Sequence, residues 1–216
     1  MNKFLKLFFA SFFTAVMTIG TVIPVSATAT SEIVISEGNG ITVYENVRTK
    51  EKSAIITLDP NEQFDSQTIT VYWDSETNEK VELDIVKNDV NPTITPMEHN
   101  EDSWSAGTIP WGSYTLYPHI TNPRYLNGEI GFSIDVSAYP VVFHNAYNPV
   151  VRALLISITD VSTSIIRSNA TSSFPAKASL NWTASGNIAG IQVGTTVCYL
   201  ICEMNEDGQV RLRWNY

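Results

Sequence analysis

Two cysteines near the end of the sequence are the first residues whose type and spacing could support chemistry. Cys198 and Cys202 are the only cysteines in the chain. A disulfide needs their Cα atoms to lie about 4.4–6.8 Å apart. The alternating, Val- and Tyr-rich residues around them predict a strand, in which positions four apart lie about 13 Å apart; only a helix would bring them close. We therefore predict that both are reduced, inward-facing core residues.

The three histidines are potential metal ligands by residue type. His99, His119 and His144 stand 20 and 25 residues apart, without the short spacing of a metal site. No serine lies in a nucleophile elbow, and no glycine-rich loop could hold a phosphate. The sequence therefore predicts no catalytic residues, no metal ligands and no cofactor, and we expect the histidines in loops or on the surface.

The segment DSETN at residues 74–78 has acidic or amide side chains at alternate positions, as a calcium loop does. A calcium loop needs glycine at its sixth position and glutamate at its twelfth. Glu79 and Ile85 occupy those positions here. We therefore predict an ordinary solvated turn at residues 74–78.

Aromatic residues give the only positive indication of binding. Exposed aromatic rings offer rigid contact area that suits sugar faces and protein anchors, although rings on strands can equally belong to a core. The residues that we predict to bind a ligand are Trp104, Trp111, Tyr114, Tyr117 and Tyr125. Trp73 and its neighbour Tyr72 lie on one strand, so if Tyr72 packs inward, Trp73 faces outward.

Short alternating segments separated by polar turns run through the chain. Residues 68–73 and 80–86 predict one hairpin, and residues 197–204 and 210–216 predict a terminal one. The β-branched run at residues 150–159 predicts a further, long strand. No segment has a helical stripe bracketed by caps. The predicted fold class is therefore all-β, an antiparallel β-sandwich or barrel.

The first residues have the layout of a secretory signal peptide. Lys3 and Lys6 precede an uncharged apolar run at residues 7–23, and Val25 and Ala27 place small residues at a cleavage site after Ala27. We predict a signal peptide at residues 1–27, a flexible arm at 28–52 and one secreted β-sandwich domain at 53–216. We expect the mature chain to be extracellular, without stable membrane anchoring.

The charge of the chain is acidic and uneven. The net charge is −9, and residues 28–102 hold 16 acidic and 5 basic residues, whereas residues 103–216 hold 6 of each. Such a balance disfavours nucleic acids and anionic membranes as partners. It favours either solubility alone or a basic partner or divalent cations.

The order of these elements resembles a family of small secreted domains from Gram-positive bacteria whose function is uncharacterised. The resemblance lies in the hairpin at residues 68–86, the GSYTLY strand at 112–117, a strand ending in DVS at 135–137, the GTTV strand at 194–197 and the terminal hairpin, and it covers residues 53–216. The chain departs from the pattern in a polar, acidic insert at residues 91–105, in its two cysteines and in the arm at residues 28–52. The resemblance implies no catalytic residues.

These observations favour a secreted, non-enzymatic binding module whose partner is an unknown surface carbohydrate or protein. Two alternatives stay open. One is a secreted enzyme with an unrecognised site, which would need a pocket joining a histidine to a carboxylate. The other is a secreted toxin or its antagonist, for which the Ser- and Thr-rich run at residues 157–173 would form a membrane-inserting hairpin.

Overall fold

A computed structural model describes residues 32–57, 66–88, 112–123, 128–138, 140–154, 156–188 and 191–216. These residues form twelve strands in two antiparallel sheets, and they include no helix. The predicted all-β fold is therefore confirmed, as a β-sandwich. The predicted signal peptide and its cleavage site at Ala27 lie outside the described residues. Within these ranges no helical segment is long and apolar enough to cross a bilayer.

Sheet A has seven strands in the order β1-β2-β3-β12-β11-β10-β9. It combines the first three strands with the last four, so the chain leaves this sheet after β3 and returns at β9. The strands are β1 (Glu32–Gly38), β2 (Ile41–Asn46), β3 (Lys52–Ile56), β9 (Ser157–Arg167), β10 (Ala176–Ile188), β11 (Ile191–Met204) and β12 (Val210–Asn215).

Sheet B contains the five strands between those two parts of the chain. Its spatial order follows the sequence, β4-β5-β6-β7-β8, so each strand pairs with its neighbours along the chain. The strands are β4 (Ser66–Asp74), β5 (Glu79–Lys87), β6 (Gly112–Thr121), β7 (Glu129–Ala138) and β8 (Val142–Arg152).

Side-chain alternation places the core between the two sheets. In β12, Val210, Leu212 and Trp214 are buried, whereas Arg211 and Arg213 between them reach the outer face. Each large apolar side chain that is fully buried stabilises the fold by about 1.5–3 kcal/mol. The largest of them are Trp182, Trp214, Tyr114, Phe132 and Phe143.

The two sheets meet along the side formed by β8 and β9. The amide of Phe143 donates to the carbonyl of Ser168 at 2.8 Å, and the amide of Ala170 donates to the carbonyl of Val141 at 3.0 Å. The hydroxyl of Thr163 on β9 donates to the carbonyl of Ala146 on β8 at 2.9 Å. These bonds join the sheets without merging them into one ladder.

Residues 32–46 correct the prediction of a flexible arm at residues 28–52. They form β1 and β2, which pair with each other, and β2 pairs with β3. Val43 and Ala54 are paired and fully buried, which anchors this segment in the core. The prediction failed because β1 is an edge strand with mostly exposed side chains, so its sequence lacks a buried face.

Candidate functional site

The aromatic residues predicted to bind a ligand do not form one cluster among the described residues. Trp104, Trp111 and Tyr125 lie outside them. Tyr114 is fully buried in the core, and Tyr117 lies half-buried on the outer face of sheet B. The two tyrosines are three positions apart on β6, and alternation sends them to opposite faces. This corrects the prediction for Tyr114, because a ligand at the surface cannot reach it.

Tyr117 forms part of a stacked pair of rings. Its centroid lies 4.9 Å from that of His119, with an interplanar angle of 29°. Gly131 on the neighbouring strand makes room for both rings. A Cβ atom at that position would lie 2.8 Å from the His119 Cβ and 2.9 Å from the Tyr117 hydroxyl oxygen. The glycine therefore lets the rings pack closely against the backbone of β7.

Carboxylates surround this ring pair because of the register of β5, β6 and β7. Glu82 pairs with His119, and Asp84 pairs with Tyr117 across β5 and β6. The His119 Nε2 lies 3.4 Å from Glu82 Oε2, and its Nδ1 lies 3.9 Å from Asp84 Oδ2. The Tyr117 hydroxyl donates to Glu129 Oε1 at 3.1 Å. Both rings are thus oriented by charged neighbours.

The tyrosine hydroxyls on this side of sheet B remain protonated and act as donors. Burial and the adjacent Glu129 carboxylate raise the pKa of Tyr117 to about 12. On β8, the Tyr147 hydroxyl donates to Asp135 Oδ1 at 2.8 Å, and this hydrogen bond raises the pKa of Tyr147. The face therefore offers neutral phenols beside carboxylate groups.

Trp73 adds an exposed indole to the same face. Trp73 pairs with Lys80 across β4 and β5. Glu79 and Val81 on either side of Lys80 point inward, so the side chains of Lys80 and Trp73 project outward. The exposed fraction of Trp73 is 64%. Tyr72 packs inward instead, with its ring centroid 6.4 Å from that of Trp214. The sequence prediction of opposite orientations for this pair is confirmed.

These residues define what we call the aromatic–carboxylate face. It can stack on apolar ring faces and can form hydrogen bonds around them. The His119 side chain is only 12% exposed, because it is packed between the Tyr117 ring and the carboxylates of Glu82 and Asp84. Among the described residues, no three His, Cys, Asp or Glu side chains are grouped so that they could hold a metal ion. The members of the face are Trp73, Glu82, Asp84, Tyr117, His119 and Glu129.

A second feature is an inter-sheet cavity of about 330 Å³. It is bounded by β2, β3 and β12 of sheet A and by the start of β5 in sheet B. No histidine lines it. The lining residues are Glu45, Lys50, Lys52, Glu79, Trp214, Asn215 and Tyr216.

Glu79 is the unusual residue of this cavity, because its side chain is fully buried. Its Oε1 lies 3.0 Å from the Nζ of Lys52, which reaches across from β3. The same Nζ lies 4.8 Å from the centroid of the Tyr72 ring. The Glu79 Oε2 and the Nε1 of Trp214 have no hydrogen-bond partner among the described residues.

Sequence reasoning missed Glu79 as a site residue, although a signal was present. Glu79, Val81, Leu83 and Ile85 share one face of β5, and all four are buried. A glutamate in phase with three buried aliphatic residues indicates a buried charge that needs a partner. That partner, Lys52, could not be identified because it comes from the other sheet.

The turn before Glu79 is a hydrogen-bonded β-turn region. The amide of Glu76 donates to Asp74 Oδ1 at 2.9 Å, and Asn78 has a φ of 56°. This hydrogen bond is the main cause that lowers the pKa of Asp74. The local bonds of DSETN are those of a turn joining β4 to β5, as predicted.

The cysteines are placed as predicted. Cys198 and Cys202 are both free and buried on β11, on the same side as Leu200. Burial raises the pKa of the Cys198 thiol to about 11, and burial raises that of Cys202 further. Both thiols are therefore protonated near pH 7, which makes them unreactive.

Comparison with known proteins identifies no relative. No protein-family model, no curated protein and no solved structure matches this chain. The resemblance to secreted domains of Gram-positive bacteria accordingly stays a prediction, and arguments about function rest on the geometry above.

Proposed function

We propose that this protein is an extracellular, non-enzymatic binding module that holds an oligosaccharide on the aromatic–carboxylate face. One observation carries the proposal: the exposed Trp73 and the stacked Tyr117–His119 pair lie on one sheet surface, beside hydrogen-bonding carboxylates. The extracellular location belongs to the same proposal and is supported by the signal-like residues 1–27.

The charge of the face favours a neutral or cationic ligand over an anionic one. Glu82, Asp84 and Glu129 belong to it, and Asp135 lies on the same side of the sheet. Lys80 pairs with Glu82 and Arg152 with Glu129, so the four carboxylates outnumber these two cations, and the remaining negative charge disfavours phosphate-bearing ligands such as nucleic acids and anionic lipids. Sugar hydroxyls instead donate hydrogen bonds to carboxylates, while aromatic rings stack on the apolar faces of sugar rings.

The spacing of the rings indicates an extended ligand. Trp73 lies on β4 and Tyr117 on β6, and strands two apart in a sheet are about 10 Å apart. Along the strand direction, Trp73 pairs with Lys80, whereas Tyr117 pairs with Asp84, four residues further along β5. A single sugar ring cannot contact both positions, so the ligand should be a chain of several sugars.

The carboxylates favour a second candidate, a basic protein or peptide partner. Ionic strength separates the two. A complex dominated by charge pairs weakens steeply as salt increases, whereas stacking and neutral hydrogen bonds change little. Binding that disappears at high salt would therefore favour the basic protein partner.

The test is binding of the purified protein to immobilised bacterial peptidoglycan and to an oligosaccharide array. Trp73→Ala should weaken binding by about tenfold, which corresponds to about 1.4 kcal/mol, because it removes an exposed stacking surface. His119→Ala should also weaken binding, because it removes the ring that packs against Tyr117 and holds it in place. Phe174→Ala is the matched control, since Phe174 is 59% exposed but lies in the connection between β9 and β10 of sheet A, away from the strands that carry the aromatic–carboxylate face.

Equal binding by all three variants, or a wild-type protein that binds no glycan, would refute the proposal. The predicted binding residues Trp104 and Trp111 lie outside the described residues, and the double variant Trp104→Ala plus Trp111→Ala should be assayed in parallel. A loss in that variant alone would move the site away from the aromatic–carboxylate face.

A further inference from the structure

We propose that Asp84 determines the ligand class of the aromatic–carboxylate face, which takes an oligosaccharide with free amino groups in preference to a neutral one. The inference rests on the proposed function, because it assigns the chemistry of the glycan held on that face. The contacts of the carboxylates carry it. Among the described residues, Asp84 is the carboxylate on this side of sheet B that accepts no hydrogen bond.

The other three carboxylates on this side of the sheet already have donors. Glu82 Oε1 lies 2.6 Å from the Nζ of Lys80. Glu129 Oε1 and Asp135 Oδ1 each accept from a tyrosine hydroxyl, at 3.1 Å and 2.8 Å. A ligand that approaches these three groups must share or displace a donor, so it gains little from them.

Asp84 differs from them in both of its carboxylate oxygens. Its Oδ1 is enclosed and takes no part in binding. Its Oδ2 lies 3.9 Å from the Nδ1 of His119, beyond hydrogen-bond distance, and that nitrogen lies 3.2 Å from the carbonyl oxygen of Tyr117. The Asp84 side chain is 31% exposed, and because Oδ1 is enclosed, the reachable oxygen is Oδ2. A ligand can therefore supply the donor that this oxygen lacks among the described residues.

Asp84 also lies where a glycan between the two aromatic positions must pass. Its strand, β5, lies between β4, which carries Trp73, and β6, which carries Tyr117. Asp84 pairs directly with Tyr117, and directly opposite residues in a sheet have Cβ atoms about 4.5–5.5 Å apart. A sugar ring placed against Tyr117 can thus bring a substituent on its rim to the Oδ2 of Asp84.

An ammonium group is the substituent that these surroundings favour. A hydrogen bond between an ammonium group and a carboxylate is roughly twice as strong as a bond between neutral groups. The neighbouring ring of Tyr117 attracts a cation as well. The two cations on this side of the sheet, Lys80 and Arg152, are paired with other carboxylates and leave Asp84 without a counter-ion.

An amino sugar carries the apolar face and the amine on one ring, and an oligomer repeats both along its length. This matches a face whose exposed indole and free carboxylate are far apart. Trp73 pairs with Lys80, and Asp84 lies four residues further along β5, which is about 13 Å. One lysine side chain of a protein partner cannot reach both positions, whereas a chain of amino sugars can.

The experiment compares three oligosaccharides of the same length and linkage by calorimetry with the purified full chain. Their sugars are glucosamine, N-acetylglucosamine and glucose, which differ in carrying an amino, acetamido or hydroxyl group at one ring position. In low salt, with the sugar amines protonated, the glucosamine chain should bind about tenfold more tightly than the other two, which corresponds to about 1.4 kcal/mol. The glucose chain controls for the size of the acetyl group, and polylysine serves as the basic comparison.

Asp84→Asn should reduce this preference from about tenfold to less than about twofold, because the amide keeps the shape of the side chain and loses its charge. Asp84→Ser removes the carboxylate with a different side chain and should have the same effect. Asp160→Asn is the matched control and should keep the preference. It removes the same charge from an exposed position on β9 of sheet A, where the φ of 55° also suits asparagine.

Raised salt should reduce the preference for the glucosamine chain, while the N-acetylglucosamine chain stays bound through stacking and neutral hydrogen bonds. Equal binding of the three oligosaccharides, or a preference that survives in both Asp84 variants, would overturn the inference and leave the proposed function standing. Tighter binding of polylysine than of any oligosaccharide would also overturn it, in favour of the basic protein partner. Failure of all three oligosaccharides and of every glycan on the array to bind would refute the proposed function and this inference together.

Discussion

The interior between the two sheets contains one region that is apolar and another region that holds charged side chains. Around Cys198 and Cys202 the space between the sheets is apolar, and Cys202 is flanked across its neighbouring strands by the buried side chains of Ala178 and Leu212. Around Glu79, which is buried to the same degree, the interior contains an ion pair and a cavity. Both regions are built from alternating strands of the same two sheets.

The difference teaches that a charge is stable in this interior only where the opposite sheet supplies a partner. Lys52 lies on β3 of sheet A and Glu79 on β5 of sheet B, so their ion pair spans the two layers. The cysteine region has thiols that carry no charge near pH 7. Burial is thus equal in the two regions, and only the presence of a counter-ion separates them.

The largest expected effect comes from placing a carboxylate in the apolar region. Cys202→Asp should lower the free energy of unfolding by about 5 kcal/mol, or prevent folding, because the new charge is buried without a partner. Urea denaturation measures the change. Cys202→Ala is the control and should lose no more than about 1–2 kcal/mol, since few atoms are removed. A Cys202→Asp variant as stable as the wild type would show that the apolar region tolerates a buried charge without a counter-ion.

A smaller effect should follow from removing the counter-ion of the polar region. Lys52→Met keeps the aliphatic stem near Tyr72 but leaves Glu79 buried and unpaired, so unfolding should become easier by about 3 kcal/mol. Lys50→Met is the matched control, because the Lys50 side chain is 70% exposed in its pair with Glu45, whereas that of Lys52 is 17% exposed. This variant should change the free energy of unfolding by less than about 0.5 kcal/mol. Equal losses in the two variants would show that burial of the ion pair does not matter.

The smallest expected effect is alkaline destabilisation through the thiols. The pKa of each thiol is higher in the folded chain than in the unfolded chain, so the unfolded chain loses these protons first as pH rises. Their contribution to stability is therefore complete below about pH 8 and should fall by about 1–2 kcal/mol between pH 8 and pH 9.5. The comparison is with the double variant Cys198→Ala plus Cys202→Ala.

Denaturation at the two pH values measures this change. The double variant should lose less stability than the wild type over the same interval. If both proteins respond identically, the thiols are not buried in protonated form. Tyr117 and Tyr199 do not interfere with this test, because their pKa values rise from about 10 to about 12 on folding and their contribution is lost only above about pH 10.

Strong alternation made much of the fold predictable. The hairpins β4–β5 and β11–β12 and the inward cysteines follow from period-two patterns in which one face is continuously apolar. The long strand predicted at residues 150–159 was wrong, because β8 ends at Arg152 and β9 begins at Ser157, where the chain passes from sheet B to sheet A. β-Branched composition on both sides of this crossing conceals it.

The candidate site was less predictable, because its members come from pairing between strands. The orientation of Trp73 followed from its neighbour Tyr72, but the ring stack depends on Tyr117, His119 and the absence of a side chain at Gly131. The ion pair of Lys52 with Glu79 joins two sheets. Contacts across strands and layers are set by register and packing, which a single sequence does not specify.

The position of β12 has a consequence for how the chain folds. β12 connects β3 to β11, and the side chains of Arg211 and Ser53, hydrogen-bonded at 3.3 Å, lie 158 residues apart in sequence. Sheet B is a meander of local pairings that can form early, whereas sheet A is incomplete until this distant pairing closes. Until β12 pairs with it, one edge of β3 has unpaired backbone amides and carbonyls. Such an edge can pair with the strands of other chains. The rate at which β12 pairs with β3 therefore determines how long this edge stays exposed. That rate, more than the size of the core, determines the risk of aggregation during folding.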